Sequence, residues 1–309
     1  MAAGNKQKLI VVLGPTATGK TDLAIHLARR FGGEIISADS MQIYRGLDIG
    51  TAKATVQEQQ AAPHHLIDIC DPQQRFSVAD YLTLAREKIT EIAGRGAVPI
   101  IAGGTGLYIS SLIEGIRFLD EPADDGLRAR LAQQARELGG EEMYRRLEAL
   151  DPQAAAAIHP HNEKRVLRAL ELYEKTGRTI TSQREQSRAQ EAPYNPLLLG
   201  LNFESREQLY QRIGLRIDRM VGQGVLEEAR RVYENRDGWI TAAQAIGYKE
   251  FFPYFEGTAT LEACVDKLKQ ATRNYAKRQL TWFRRMERVN WCDALCPDAD
   301  ELVARFLGE

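Results

Sequence analysis

Residues 14 to 21 read GPTATGKT and satisfy Gly-x-x-x-x-Gly-Lys-Ser/Thr at every specified position. Average residue usage would produce this pattern by accident in about one chain of this length in a hundred. Gly14 and Gly19 let the backbone turn sharply around Pro15, so that N–H groups of Thr16-Ala17-Thr18 and their neighbours, together with a helix N-terminus, can face an anion. Lys20 is then expected to reach a terminal phosphate, and the Thr21 hydroxyl to ligate Mg2+. The setting that this chemistry needs is strand, loop, helix. Leu9-Ile10-Val11-Val12-Leu13 supplies an apolar run that reads as a buried parallel strand, and Lys20 to Arg30 has amphipathic helical spacing.

Three further apolar runs read as parallel strands: Glu34 to Ala38, Ala97 to Ala102 and Leu197 to Phe203. Helical or loop material separates them, which predicts an α/β fold with a parallel sheet of the P-loop NTPase type. Ligands in such sheets sit at the carboxyl ends of the strands. That rule singles out the phosphate loop, then Asp39-Ser40-Met41-Gln42, then Gly103-Gly104-Thr105-Gly106-Leu107-Tyr108. Nearly a hundred residues part the third run from the fourth, too many for an ordinary connection. Leu127 to Leu138 and Glu142 to Leu150 are amphipathic, Asp151-Pro152 has the form of a helix start, and Asn162 is a candidate N-cap. The expected organisation is a first core part over 1–115, a helical insertion over 116–195 with a return linker from Gln190 to Pro196, and a second core part over 196–309 that ends in a long helix from Leu261 to Met286.

The formal net charge of -1 excludes a chain that is basic throughout, so any nucleic-acid surface must be local. Between Lys267 and Arg288 eight Lys or Arg residues face Glu287 alone, with Tyr275, Trp282 and Phe283 interleaved. In the insertion, Val166, Leu167, Leu170 and Tyr173 share one helical face, while Lys164, Arg168 and Lys175 recur on another. Either segment alone is equally well read as a solvated helix. Four cysteines are too few and too scattered for a disulfide framework, and Cys292 and Cys296 lack nearby paired histidines for zinc. The apolar run before the loop is too short for a signal peptide or a membrane span, so a cytoplasmic protein without a membrane partner is expected.

The loop alone suggests a nucleotide-binding, ATP-using kinase or NTPase, in which Asp39 would help to hold magnesium. The turn after Ala102 carries no acid, so Asp39 is also free for another task. Seven stretches in order carry a resemblance: GPTATGKT, SADSMQIYRGLDIGTAK from Ser37, PHHLIDI from Pro63, GGTGLY from Gly103, RVLRALELYEKTG from Arg165, AIGYKE from Ala245 and TRNYAKRQLTWFR from Thr272. The chain resembles the tRNA dimethylallyltransferase (adenosine-37 isopentenyltransferase) family. The resemblance implies that the loop holds the diphosphate of dimethylallyl diphosphate, and that the acceptor is N6 of the adenosine on the 3′ side of the anticodon. It implies Asp39 as general base, Lys20 and Mg2+ at the leaving group, Arg212 and Arg216 as an opposing clamp, and Thr105 near the transferred group, where shaping the turn is an equal alternative.

For the tRNA anticodon stem-loop, the resemblance implies contacts from Asp39, Ser40, Met41, Gln42 and Thr105, and from Gln244, Ala245, Ile246, Gly247, Tyr248 and Lys249. It adds Lys164, Arg165, Val166, Leu167 and Arg168 in the insertion. Eukaryotic members often add a C-terminal zinc finger that this sequence lacks, so the short bacterial type, working as a monomer, is expected. A transferase acting on free adenylate, a small-metabolite kinase and a non-catalytic RNA-binding protein are the alternatives.

Overall fold

A computed structural model describes residues 6–116, 124–188, 192–295 and 298–308. Part of the expected return linker and Cys296 lie outside the described residues. The chain divides into one unit of residues 1–113 and 193–309 and a second of residues 114–192.

The first unit is built on strands β1 (Gln7–Leu13), β2 (Gly33–Ala38), β3 (His64–His65), β4 (Val98–Gly103), β5 (Tyr194–Asn202) and β6 (Val289–Asp293). They form one sheet in the order β3-β2-β4-β1-β5-β6, every neighbouring pair parallel. Leu9 to Leu13 are each 0% exposed, as a strand covered on both faces requires. Helices α1 (Lys20–Arg30), α2 (Val56–Ala61), α3 (Val78–Gly94) and α4 (Gly106–Ile113) precede the second unit. One side of the sheet is sealed by Leu23, Leu27, Leu199, Leu201 and Val303, each such side chain contributing roughly 1.5–3 kcal/mol by burial.

The second unit holds α5 (Asp125–Leu138), α6 (Gly140–Leu150), α7 (Pro152–Ala157), α8 (Glu163–Thr176) and α9 (Ile180–Arg188). The Asp151 side chain accepts from Ala154 N–H, with Pro152 opening α7. Asn162 caps α8 in the same way through Arg165 N–H. Leu131, Met143, Leu147, Val166 and Leu170 form this unit's own core.

Returning to the first unit, the chain forms α10 (Arg206–Gly222), α11 (Val225–Glu234), α12 (Phe252–Phe255), α13 (Leu261–Phe283) and α14 (Asp300–Leu307). A capping box of Ser205 and Gln208 starts α10, and burial of Leu209, Ile213, Ile217 and Met220 turns its opposite face outward. Arg212 and Arg216, one turn apart, lie together along one edge of that buried face.

Two expectations need correction. The sheet has six strands rather than four, and the long helix stops at Phe283, short of Met286. The missed strands are a two-residue β3 and the short edge strand β6. Such strands carry too little periodicity to announce themselves, and β6 takes its register from β5.

Candidate active site

The phosphate loop bridges the end of β1 and the start of α1. Gly14 has φ 151°, and a Cβ there would stand 2.5 Å from the Leu201 carbonyl oxygen on β5, so only glycine fits. Ala17 at φ 68° and Gly19 at φ 79° complete the left-handed steps that turn successive N–H groups inward. Inside the loop, the Pro15 carbonyl accepts from Thr18 Oγ1 at 2.9 Å and from Lys20 Nζ at 2.7 Å. Thr18 is buried, and its hydroxyl braces the loop rather than facing a ligand.

Parallel pairing aligns Leu13 with Gly103 and Ala38 with Gly103, which brings three strand-end loops together. Asp39 Oδ1 accepts from Met41 N–H at 2.8 Å and Gln42 N–H at 3.3 Å, fixing the carboxylate in a turn of its own. Ser40 N–H donates to Thr105 Oγ1 at 3.1 Å. Thr105 thus ties the loop after β2 to the loop after β4.

These loops face a cavity of about 970 Å³, lined among others by Thr16, Ala17, Gly19, Lys20, Thr21, Asp39, Arg212 and Arg216. Burial, then the positive Arg216, lowers the Lys20 ammonium to about 7, against an opposing pull from Asp39. Burial also lowers Arg216, and Asp39 and Tyr275 oppose it. Desolvated positive charge is therefore concentrated where an anion would neutralise it. Asp22 is raised by burial and then by Glu58, with Arg212 opposing.

The same cavity takes in Ser40, Met41, Gln42, Gln244, Ala245, Ile246, Gly247 and Lys249. Tyr248 does not join them. It is 0% exposed, and its hydroxyl donates to Glu228 Oε1 at 2.6 Å, so it is a core residue and not an RNA contact. Gln42 is engaged inside the protein as well: its amide oxygen accepts from Ser37 Oγ at 3.1 Å, and its Nε2 donates to the Thr51 and Ala52 carbonyls at 3.3 and 3.1 Å.

The segment from Lys164 to Arg168 lies in the second unit. Lys164 and Arg165 are exposed, whereas Val166 is 1% exposed and fills that unit's core, which removes it from any RNA surface. Leu167 is half-buried against the same core. Arg168 pairs with Glu171 at 2.8 Å, and Glu171 also receives Arg128 at 2.8 Å.

Sequence reading missed several residues that shape the site. Glu228, 3% exposed, accepts from the N–H groups of Asp48, Ile49 and Gly50 at 3.0, 3.1 and 2.9 Å and so fixes one cavity wall. Lys53, also buried, holds Tyr44 O, Asp48 and Asp68 at 2.8, 2.5 and 2.5 Å. On α13, Gln279 bridges Thr16 N–H and the Gly104 carbonyl, both at 2.9 Å. Beside it, burial and then Asp39 raise the Tyr275 hydroxyl, which faces Thr105 and Gln279. A signal did exist: Tyr275 and Gln279 are uncharged residues one turn apart in a segment otherwise crowded with cations.

Residues 42–286 match the family described as IPP transferase. The chain is 50% identical over 297 residues to the tRNA dimethylallyltransferase of Bacillus subtilis, covering 96% of this chain and 94% of that one. Among solved structures, the full-length tRNA isopentenylpyrophosphate transferase of Bacillus halodurans superposes with a TM-score of 0.70 at 44% identity, over 98% of this chain and 95% of the other. A eukaryotic dimethylallyltransferase acting on tRNA gives a TM-score of 0.78 at 30% identity, over 96% and 78%. Likeness of this extent, together with a phosphate loop whose Lys20 shares one cavity with Asp39, Arg212 and Arg216, makes the chain a member of the IPP transferase family, that of the tRNA dimethylallyltransferases.

Proposed function

We propose that this chain transfers a dimethylallyl group from dimethylallyl diphosphate to N6 of adenosine 37 in tRNA and releases diphosphate. The observation that carries the reading is one cavity in which a phosphate loop, two arginines and one turn-fixed carboxylate converge. The N6 lone pair forms the new bond to allylic C1 as the C1–O bond breaks, and the electron pair of that bond leaves on the diphosphate. Lys20 and Arg216 hold the leaving group from two sides, where their desolvated charge stabilises it most strongly as the bond parts. Arg212 closes the rim. Asp39, its Oδ1 occupied by backbone N–H groups, presents its other oxygen to take the N6 proton as general base. Thr105 serves by positioning Ser40.

The oxygen-rich lining suits a hard cation. Thr21, facing the cavity at the start of α1, would hold Mg2+ with water and diphosphate oxygens, and the ion would supply further charge neutralisation at the leaving group. A base inside the anticodon loop must be extruded to reach such a cavity. Ser40, Met41, Gln244, Ile246 and Lys249 line the space available to it. The exposed cations Lys277, Arg278, Arg284 and Arg285 on and just beyond α13, and Lys164 and Arg165 in the second unit, suit phosphates of the stem and loop.

Incubating the purified protein with radiolabelled dimethylallyl diphosphate, unmodified tRNA, AMP and ATP tests the reading. Label in tRNA is expected. Label in the nucleotide instead, or ATP consumption without prenyl transfer, would overturn it.

A further inference from the structure

The Thr16 N–H belongs to the outer lip of the phosphate loop, four residues before Lys20 and the N-terminus of α1. In a loop that cradles a phosphate chain, the N–H groups at the helix end serve the inner groups and the lysine reaches the terminal ones, so the N–H groups toward the lip lie nearest the outermost phosphate. Here the lip is already taken. Gln279 Oε1 accepts the Thr16 N–H at 2.9 Å, and Gln279 Nε2 donates to the Gly104 carbonyl at 2.9 Å. The side chain is 6% exposed, anchored on α13 by burial of Ala276 and Phe283 on the same face. Gly104 is shaped around it, because a Cβ at that position would stand 2.2 Å from Gln279 Nε2.

We infer that Gln279 is a specificity-determining residue: its carboxamide caps the outer end of the phosphate loop, so that the cradle takes a diphosphate and turns away a triphosphate. With both ends of the amide bonded, displacing it leaves a buried donor and a buried acceptor unpaired. A third phosphate incurs that penalty, whereas a diphosphate does not. The inference rests on the proposed reading that the loop holds a diphosphate. Its test uses inorganic anions and therefore stands apart from the prenyl-transfer assay.

Calorimetric titration with inorganic diphosphate and inorganic triphosphate, each with magnesium, gives the selectivity directly. Triphosphate carries more charge and should bind more tightly at an open loop. The wild-type protein is expected to prefer diphosphate by about tenfold or more, the scale of breaking one buried hydrogen-bonded pair. Gln279→Ala should erase or reverse that preference, and Gly104→Ala, which pushes the carboxamide aside, should do the same. A wild-type protein that binds triphosphate as tightly as diphosphate overturns the inference, even if no variant folds. So does a folded Gln279→Ala with wild-type selectivity, which would leave Gln279 a purely structural brace.

Discussion

Lys20 Nζ donates to the Pro15 carbonyl at 2.7 Å, so the loop's lysine is folded back onto the loop's own backbone. Burial and Arg216 hold its ammonium at about 7. An incoming diphosphate supplies the missing counter-charge and must raise that value. The bound form then keeps a proton that the free form loses above pH 7, so affinity is greatest below about 7 and falls as pH rises toward the higher value in the complex. Titrating the donor at pH 8 in buffers of different ionisation enthalpy should show proton uptake that disappears in Lys20→Met. Equal uptake by both proteins would place the proton elsewhere.

The charge on Lys20 matters most when the diphosphate departs. Lys20→Ala should raise the barrier to prenyl transfer by roughly 2 to 4 kcal/mol, the scale for removing one preorganised electrostatic partner. Its tRNA affinity should stay close to wild type. Inorganic diphosphate should compete with the donor while ATP competes weakly, and steady-state inhibition by each measures the difference. Tight competition by ATP with release of ADP would point to a kinase.

Asp39→Asn preserves the side-chain oxygen that caps Met41 and Gln42 N–H, so the turn should survive. Only proton acceptance is removed. Turnover should fall by roughly 10² to 10⁴ with tRNA binding nearly intact. A variant that loses magnesium affinity, yet regains its rate at saturating metal, would make Asp39 a metal-site residue instead.

The sheet's central strands and the phosphate loop were legible because their signal is local: Leu9 to Leu13 is one unbroken apolar run, and the loop is eight contiguous residues. Arg212 and Arg216 could be named through the family resemblance, but their shared aim depends on which face of α10 is buried. The errors came from reading stretches instead of faces. Within AIGYKE and the residue before it, Gln244 and Lys249 are exposed and Tyr248 is sealed in. Within KRVLR, Val166 points into the core and its neighbour Arg165 points out. Glu228 and Gln279 were illegible for another reason. The backbone partners of Glu228 are 178 to 180 positions away and those of Gln279 175 or 263, and no periodicity encodes such a pairing.

Glu228 offers a test of that long-range wall. Its carboxylate satisfies three N–H groups of the Asp48–Gly50 turn and the Tyr248 hydroxyl, all in a buried setting. Glu228→Ala leaves those donors without an acceptor, at roughly 1–3 kcal/mol for each that water cannot reach. Urea unfolding should register a loss of about 3 kcal/mol or more. Because Ile49 and Gly50 line the cavity, KM for the substrates should rise in whatever fraction remains folded. An unchanged midpoint with unchanged KM would show that the wall stands without its anchor.

The basic stripe on α8 separates into two kinds of cation. Lys164 and Arg165 are exposed, whereas Arg168 and Arg128 both converge on the buried carboxylate of Glu171. An arginine already neutralised within the protein releases few counterions when RNA binds, so only the first two should engage phosphates productively. Replacing Lys164 and Arg165 by Ala should flatten the plot of log tRNA affinity against log salt by about 1.4 to 1.8, at roughly 0.7 to 0.9 for each phosphate no longer neutralised. Binding of dimethylallyl diphosphate should be unaffected. Arg168→Ala should instead lower thermal stability, since it strips a partner from Glu171, and should leave the salt slope nearly untouched. Filter-binding or anisotropy titrations across a salt series, paired with thermal melts, separate the two effects. If Arg168→Ala alone carried most of the slope change, its pairing with Glu171 would have to break on RNA binding, and α8 would present all three cations to the tRNA.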